Sequence, residues 1–342
     1  MSFKIKFFCI IPLLILILVG CDEKVADTLT SKTEFLMGTI VTISVYEPSD
    51  KLFNDCFNAL RELEQDLSLN IDNTLLNQIN ASSGVSPMQI NDDLFTLIEK
   101  SIHMSQLTDG NFDITIAPLV ELWRIGYPDA KVPEQSEIEK VLQYINYENI
   151  ILNSQDNTLY LSEKNMGLDL GSVAKGYAAD MLVQILTEDY SIQSGLIDIG
   201  GNVIALGTKY DGTPWNVGIQ DPFSDRGESV GVLKIADKSL VTSGIYERVL
   251  EENGKTYHHL LNPKTGYPFE NDIAGVTIIS ESSTDGDALS TAVFSMGITN
   301  GLAFIESLNQ IEAIFISSDY KIYLSSGLKN NFSLLDNNFS LQ

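Results

Sequence analysis

The chain has 342 residues, 44% hydrophobic and 20% charged, which is the composition of a folded globular protein and excludes a disordered one. A formal net charge of -25 excludes nucleic acid as a partner, because a phosphate backbone is gripped by Lys and Arg. An anionic small molecule would need a metal ion or backbone N–H groups to be held on so acidic a chain.

The first segment reads as an address. Lys4 and Lys6 precede the almost unbroken apolar run from Phe7 to Val19, which closes in Leu18-Val19-Gly20-Cys21. The run is short for a membrane span, which needs about 20 residues. The pattern resembles a bacterial lipobox, where the cysteine is lipidated and becomes the mature N-terminus. This resemblance implies a signal peptide at 1–20, a lipidated tether at 21–33 beginning with Cys21, and a body at 34–342 outside the cytoplasm. Asp22 after the cysteine is similar to the retention signal of inner-membrane lipoproteins, which implies the periplasmic face of that membrane. Cys9 lies in the signal and Cys21 would carry lipid, so Cys56 is left without an intrachain partner. It shares an apolar helical face with Phe53, Phe57, Leu60 and Leu63 and is expected in the core.

Further along, Ile40 to Tyr46 alternates like a strand and Lys51 to Leu67 repeats like an amphipathic helix. A polar loop is expected around Asn70 to Asn73, then a helix from Asn91 with Leu94, Leu97, Ile98 and Ile102 on one face. Thr108-Asp109-Gly110 is a turn, followed by a short helix through Pro118 and Trp123, a loop at 127–135 and a helix at 136–145. Ile150 to Leu161 holds two short strands. They lead into Leu168 to Asp180, LDLGSVAKGYAAD, a strand end, a glycine corner at Gly171 and a helix with Lys175. Such a corner frees N–H groups at a helix N-terminus for an anion, although many serve packing alone.

Gly195 to Gly207 reads as two strands joined by a glycine corner, with more strands at 215–220, 230–235, 240–243 and 274–280. Asp211-Gly212 and Asn253-Gly254 are hairpin-type turns. A helix at Asp287 to Gly297, a second helix and a pair of strands end the chain. Helices and strands mix without strict βαβ alternation, so the expected fold class is α+β in one compact unit.

Two clusters carry possible chemistry beside that corner. On the 287–297 helix, Asp287, Ser290 and Thr291 lie at i, i+3 and i+4 and present oxygens from one face. Hard oxygens with one carboxylate suit Mg²⁺, while helix capping by Asp287 is the plainer reading of the same residues. Tyr257 to Gly266, YHHLLNPKTG, holds two of the three histidines, and on a strand His258 and His259 point to opposite faces. His103 sits mid-helix and is expected to be structural or exposed.

Taken together, the segments MGTIVTISVY, DGNFDITIAPLVELW, LDLGSVAKGYAAD, GLIDIGGNV, WNVGIQDP, SLVTSGIYER, HLLNPKTGYP and DALSTAVFSMG resemble, in this order, the ApbE family of FAD:protein FMN transferases. The resemblance implies a T-fold-related unit of mixed sheets and packed helices. It implies FAD as substrate, Mg²⁺ as the required metal, and FMN moved to a threonine of an acceptor protein with release of AMP. Carried over by position, the flavin-nucleotide contacts would be Met37, Asn70, Asn111, Phe112, Asp113, Asp169, Lys175, Leu261 and Ser290. Metal contacts would be Ser172, Asp287 and Thr291, and His259 the catalytic base. Asn262 replaces the acid of the family's H-x-x-D-P-x-T-G turn, a position that tolerates either residue.

One departure stands out. Where the family has an aromatic residue after the first helix, this chain has Asn70. Loss of a stacking ring would weaken nucleotide binding by about 1–3 kcal/mol and open the site to water. Hydrolysis of FAD to FMN and AMP is thus the alternative activity, and a non-catalytic flavin-binding lipoprotein the alternative of another class.

Overall fold

The computed structural model describes residues 28–342, so the expected signal segment and Cys21 lie outside the described residues. The hairpin β1 (Thr30–Leu36) and β2 (Thr39–Val45) comes first. Residues 30–33, expected as tether, therefore belong to the sheet. Next come α1 (Asp50–Leu67), α2 (Leu75–Ala81), the short β3 (Met88–Gln89) and α3 (Asp92–Leu107). Two further helices, α4 (Ala117–Trp123) and α5 (Gln135–Leu142), precede the hairpin β4 (Ile150–Asn153) and β5 (Thr158–Leu161). Then follow α6 (Ala174–Gln184), β6 (Gly195–Ile199) and β7 (Asn202–Leu206). Strands β8 (Trp215–Gln220), β9 (Ser229–Ile235) and β10 (Lys238–Gly244) lead to the hairpin β11 (Val249–Glu252) and β12 (Lys255–His258). Last are β13 (Ile273–Ser280), α7 (Ser283–Glu306), β14 (Glu312–Ser317), β15 (Lys321–Leu324), β16 (Phe332–Leu334) and β17 (Ser340–Leu341).

Nine strands form the main sheet in the order β1-β2-β6-β7-β10-β13-β14-β15-β17, antiparallel except for β15 with β17. Strand β13 is buried along its whole length because both faces of the sheet are covered. On one face, α6 and α7 pack with α1 and α3 around Phe53, Phe57, Leu97, Val293 and Phe294. On the other, the small sheet β16-β9-β8 closes over Leu240, Ile279, Ile314 and Ile316 with Trp215 and Leu233. The fold is α+β, as the mixture of elements led one to expect.

Local chemistry accounts for the elements. Ser49 caps α1 by accepting the Leu52 N–H at 3.1 Å, and the buried face runs through Leu52, Phe53, Cys56, Phe57, Leu60 and Leu63. Cys56 is buried on that face, which pushes its thiol up to about 12 and leaves it an inert packing group. Asn253 and Gly254, with φ of 53° and 76°, make the expected tight turn between β11 and β12. Asp211-Gly212 is also a tight turn, but β7 and β8 lie in different sheets, so no hairpin forms there. Helix α5 ends at Leu142, three residues inside its expected limit, and α2 fills part of a stretch read only as loop.

Candidate active site

The corner at 168–180 is built from three sides. Asn80 of α2 holds both backbone groups of Leu168, accepting its N–H at 2.7 Å and donating to its carbonyl at 2.9 Å. The Asp169 N–H donates to the Ile114 carbonyl at 2.8 Å, which brings the 111–115 segment alongside. Oδ1 of Asp169 then accepts the Gly171 N–H at 2.8 Å and tightens the turn into α6.

Helix α6 has no capping side chain of its own. Its cap comes from α7, where Oδ2 of Asp287 accepts the Gly176 N–H at 2.9 Å. The service is returned. Asp180 of α6 accepts from Ser282 Oγ at 3.0 Å, the N–H groups of Ser283 and Thr284 at 2.8 and 2.9 Å, and Thr284 Oγ1 at 2.7 Å. Each helix thus terminates the other's unpaired donors. Gly176 permits the approach, since a Cβ there would stand 2.3 Å from the Ser283 carbonyl oxygen.

Helix α7 begins at Ser283, four residues before Asp287, so Asp287 does not cap its own helix. Only 3% exposed, its carboxylate faces Lys175, whose Nζ is 3.5 Å from Oδ1 and 3.4 Å from the Gly171 carbonyl oxygen. Thr291 lies one turn on, half-buried, and Ser172 lies in the adjoining corner. Among the described residues no three His, Cys, Asp or Glu side chains converge. One carboxylate with hydroxyl oxygens is a hard donor set that fits a Mg²⁺ ion keeping several waters.

The two histidines divide as a strand requires. Nδ1 of His258 accepts the Leu260 N–H at 3.3 Å, so Nε2 carries the proton and donates to the Phe269 carbonyl at 2.9 Å. His258 is spent on structure. The enclosed Nδ1 of His259 has no hydrogen-bond partner. Burial, reinforced by the nearby Arg248 cation, lowers its pKa to about 4, so the ring is a neutral base at pH 7. The turn that follows is gripped by α4, where the Trp123 indole N–H donates to the Gly266 carbonyl at 2.8 Å. Asn262 performs the turn's work with Oδ1, which accepts the N–H groups of Lys264 and Thr265 at 2.8 and 3.2 Å.

Several of the expected contact residues have their side chains engaged within the fold. Phe112 is 2% exposed and its ring packs in the core. Asp113 spends both carboxylate oxygens internally, on Thr115 and on the Tyr147 N–H, and burial raises its pKa. The Leu261 side chain packs with Leu119, Trp123 and Ile138, which leaves only its backbone for a ligand. The Ser290 hydroxyl is fully buried, donating to the Asp287 carbonyl at 2.8 Å and bonded to Ser243 Oγ at 2.7 Å. Asn111 is half-buried. Met37 stands at the β1–β2 tip with a φ of 54°, packed against the main core. Asn70 is exposed and accepts the Tyr127 hydroxyl at 2.7 Å. His103 is exposed on α3. Asn80, Asp180, Ser243, Arg248 and Tyr127 escaped the sequence reading, because each acts through a partner distant in the chain.

Fold and site together have the form of an α+β enzyme, with a neutral histidine in the field of a buried Lys–Asp pair. Comparisons with known proteins give the class a family. Residues 37–315 match the ApbE family, and the chain belongs to it. It is 33% identical to a FAD:protein FMN transferase of Treponema pallidum, over 97% of both chains. It is 35% identical to one of Klebsiella pneumoniae, over 91% of this chain and 96% of that one. The fold matches the crystal structure of an ApbE protein from Thermotoga maritima with a TM-score of 0.81 at 29% identity, covering 89% of this chain and 99% of that one. The flavin transferase ApbE from Vibrio cholerae matches with a TM-score of 0.79 at 28% identity, over 89% and 100% of the two chains.

Proposed function

We propose that this chain transfers FMN from FAD to a threonine hydroxyl of an acceptor protein, with Mg²⁺ bound, and releases AMP. FMN transfer from FAD is the activity named for its relatives. The observation that carries the reading here is His259, a neutral imidazole with an unpartnered nitrogen, set within the field of Lys175. The threonine oxygen attacks the phosphorus nearest riboflavin and passes its proton to His259. As the new P–O bond forms, the bridging P–O bond breaks and its electron pair leaves on AMP. Asp287, Thr291 and Ser172 would hold the metal. When bound, Mg²⁺ supplies neutralising charge to the pyrophosphate. Lys175 adds a fixed positive charge at the same corner. Purified protein given FAD, Mg²⁺ and acceptor should release AMP and flavinylate the acceptor; if no AMP forms under any of these conditions, the reading falls.

The lowered His259 pKa gives a pH test. The free enzyme keeps its base unprotonated down to about pH 4, so kcat/KM should not fall between pH 7 and 5 on account of this group. Bound FAD brings phosphate anions, which favour the imidazolium, so the acid limb of kcat should lie at higher pH than that of kcat/KM. An acid limb of kcat/KM near 6.5, the value of an unperturbed histidine, would contradict the assignment.

Asn70 favours a second activity. Exposed and without a ring, it offers a nucleotide no stacking surface, which favours water as a competing acceptor. AMP formed from FAD with no acceptor present would mark hydrolysis; its absence would confine the site to transfer.

The anchor belongs to the same proposal. Lipid on Cys21 would hold the body at the outer face of the bacterial inner membrane, where an acceptor membrane flavoprotein is within reach. Cys21→Ser should then move the full-length protein from the membrane to the soluble fraction, and unchanged fractionation would refute lipid anchoring at this residue.

A further inference from the structure

We propose that Arg248 is the arginine that grips the substrate's pyrophosphate, a binding residue additional to the Lys175 and Asp287 corner. The inference rests on the reading of the site as a flavin-nucleotide phosphotransferase.

Position comes first. Val249 of β11 pairs with His258 of β12, so Arg248 and His259 are the next directly opposed residues in this antiparallel pair. The His259 N–H donates to the Arg248 carbonyl at 3.2 Å, which fixes that register. Residues directly opposed in such a pair project from the same face, so the guanidinium and the imidazole share one side of the hairpin. The stem is seated as well. Gly126, with a φ of 92°, lies so close that a Cβ there would be 2.8 Å from Cδ of Arg248 and 3.2 Å from its Cβ and Cγ. The cation's charge lowers the pKa of both Asp169 and His259, so it lies within electrostatic reach of the corner and of the base.

Charge partners come second. Arg61 pairs with Glu34, Arg124 with Glu121 and Asp129, and Arg226 with Glu247. Arg248, exposed at the start of the hairpin, is alone among the described arginines in forming no ion pair, in a chain with 46 acidic residues. An arginine left unpaired on so acidic a protein, beside a catalytic-type histidine, is available to an incoming anion. Its planar fork of donors matches two phosphate oxygens at once, which a lysine cannot do. As the bridging P–O bond breaks, charge gathers on the departing phosphate, and a fixed guanidinium there is worth more in the transition state than before it.

The test compares wild type, Arg248→Gln and Arg248→Lys in full-length protein with Mg²⁺ and acceptor protein. AMP release from FAD and the affinities for FAD and for riboflavin, which carries the ring without phosphate, are measured on each. Arg248→Gln should lower kcat/KM for FAD about 100-fold, weaken FAD binding and leave riboflavin affinity unchanged. Arg248→Lys should recover part of the loss, and thermal unfolding of both should match wild type. Unchanged kcat/KM in Arg248→Gln would overturn the inference while leaving the transferase reading intact. Equal loss of FAD and riboflavin affinity would also overturn it, by making Arg248 a support of the pocket wall. A wild type that neither binds nor cleaves FAD would remove the underlying reading and the inference with it.

Discussion

His259→Ala should lower FMN transfer by about 10²–10⁴-fold, the range general-base catalysis supplies, while FAD affinity changes little. The expectation follows from how the two adjacent rings are used. His258 is held by Leu260 and Phe269 and lies edge-on to Phe294, so His258→Ala should act mainly on stability. The Nδ1 of His259 lacks a hydrogen-bond partner. A non-catalytic flavin binder would keep full function without this residue. Transfer rates measured with acceptor, beside FAD titrations on the same samples, separate the cases. Undiminished transfer in His259→Ala would remove it as the base.

Asp180→Ala should cost about 3 kcal/mol or more of stability, read from denaturant unfolding. Its carboxylate accepts four hydrogen bonds from the start of α7, two of them from backbone N–H groups. A hydrogen bond to a charged group contributes about 1.5–3 kcal/mol, and the loss leaves helix-terminal donors unpaired where Gly176 presses against Ser283. Because α7 carries Asp287, the same substitution should loosen the proposed metal corner and raise the Mg²⁺ concentration at which activity is half-maximal. Asp180→Asn, which keeps one acceptor oxygen, should fall between. A change within about 0.5 kcal/mol, the range of ordinary surface substitutions, would show that the mutual capping of α6 and α7 carries no weight.

That mutual capping also explains what the sequence hid. Helix α1 was legible because Ser49, Asp50 and a regular apolar face all agree. Asp287 read as the cap of its own helix because an acid near a helix start is the usual cap signal. Its real partner, the Gly176 N–H, is 111 residues away, and no local pattern records that. Strand β1 was missed since it is an edge strand, mostly exposed, so its side chains carry little apolar alternation. Helix α2 is seven residues long, too short for a periodic signal, yet it supplies the Asn80 that pins Leu168. Phe112 and Asp113 show what position in a motif does not reveal: burial gives the ring to the core and the carboxylate to Thr115 and Tyr147.

The site itself was legible where one residue type has one plausible task. Lys175 of α6 stands 3.5 Å from Asp287 of α7, and its charge reaches His259 beyond β12. Arg248 was not legible, because an arginine at the start of a hairpin looks like any solvated charge until its missing partner is counted.

The most direct test of the account is intact-mass measurement of an acceptor protein after incubation with this chain, FAD and Mg²⁺. The account predicts a gain of one FMN unit on the acceptor, matched by AMP, and lost on removing Mg²⁺ or replacing His259. An acceptor of unchanged mass, while AMP and free FMN accumulate, would contradict it and make the chain a hydrolase.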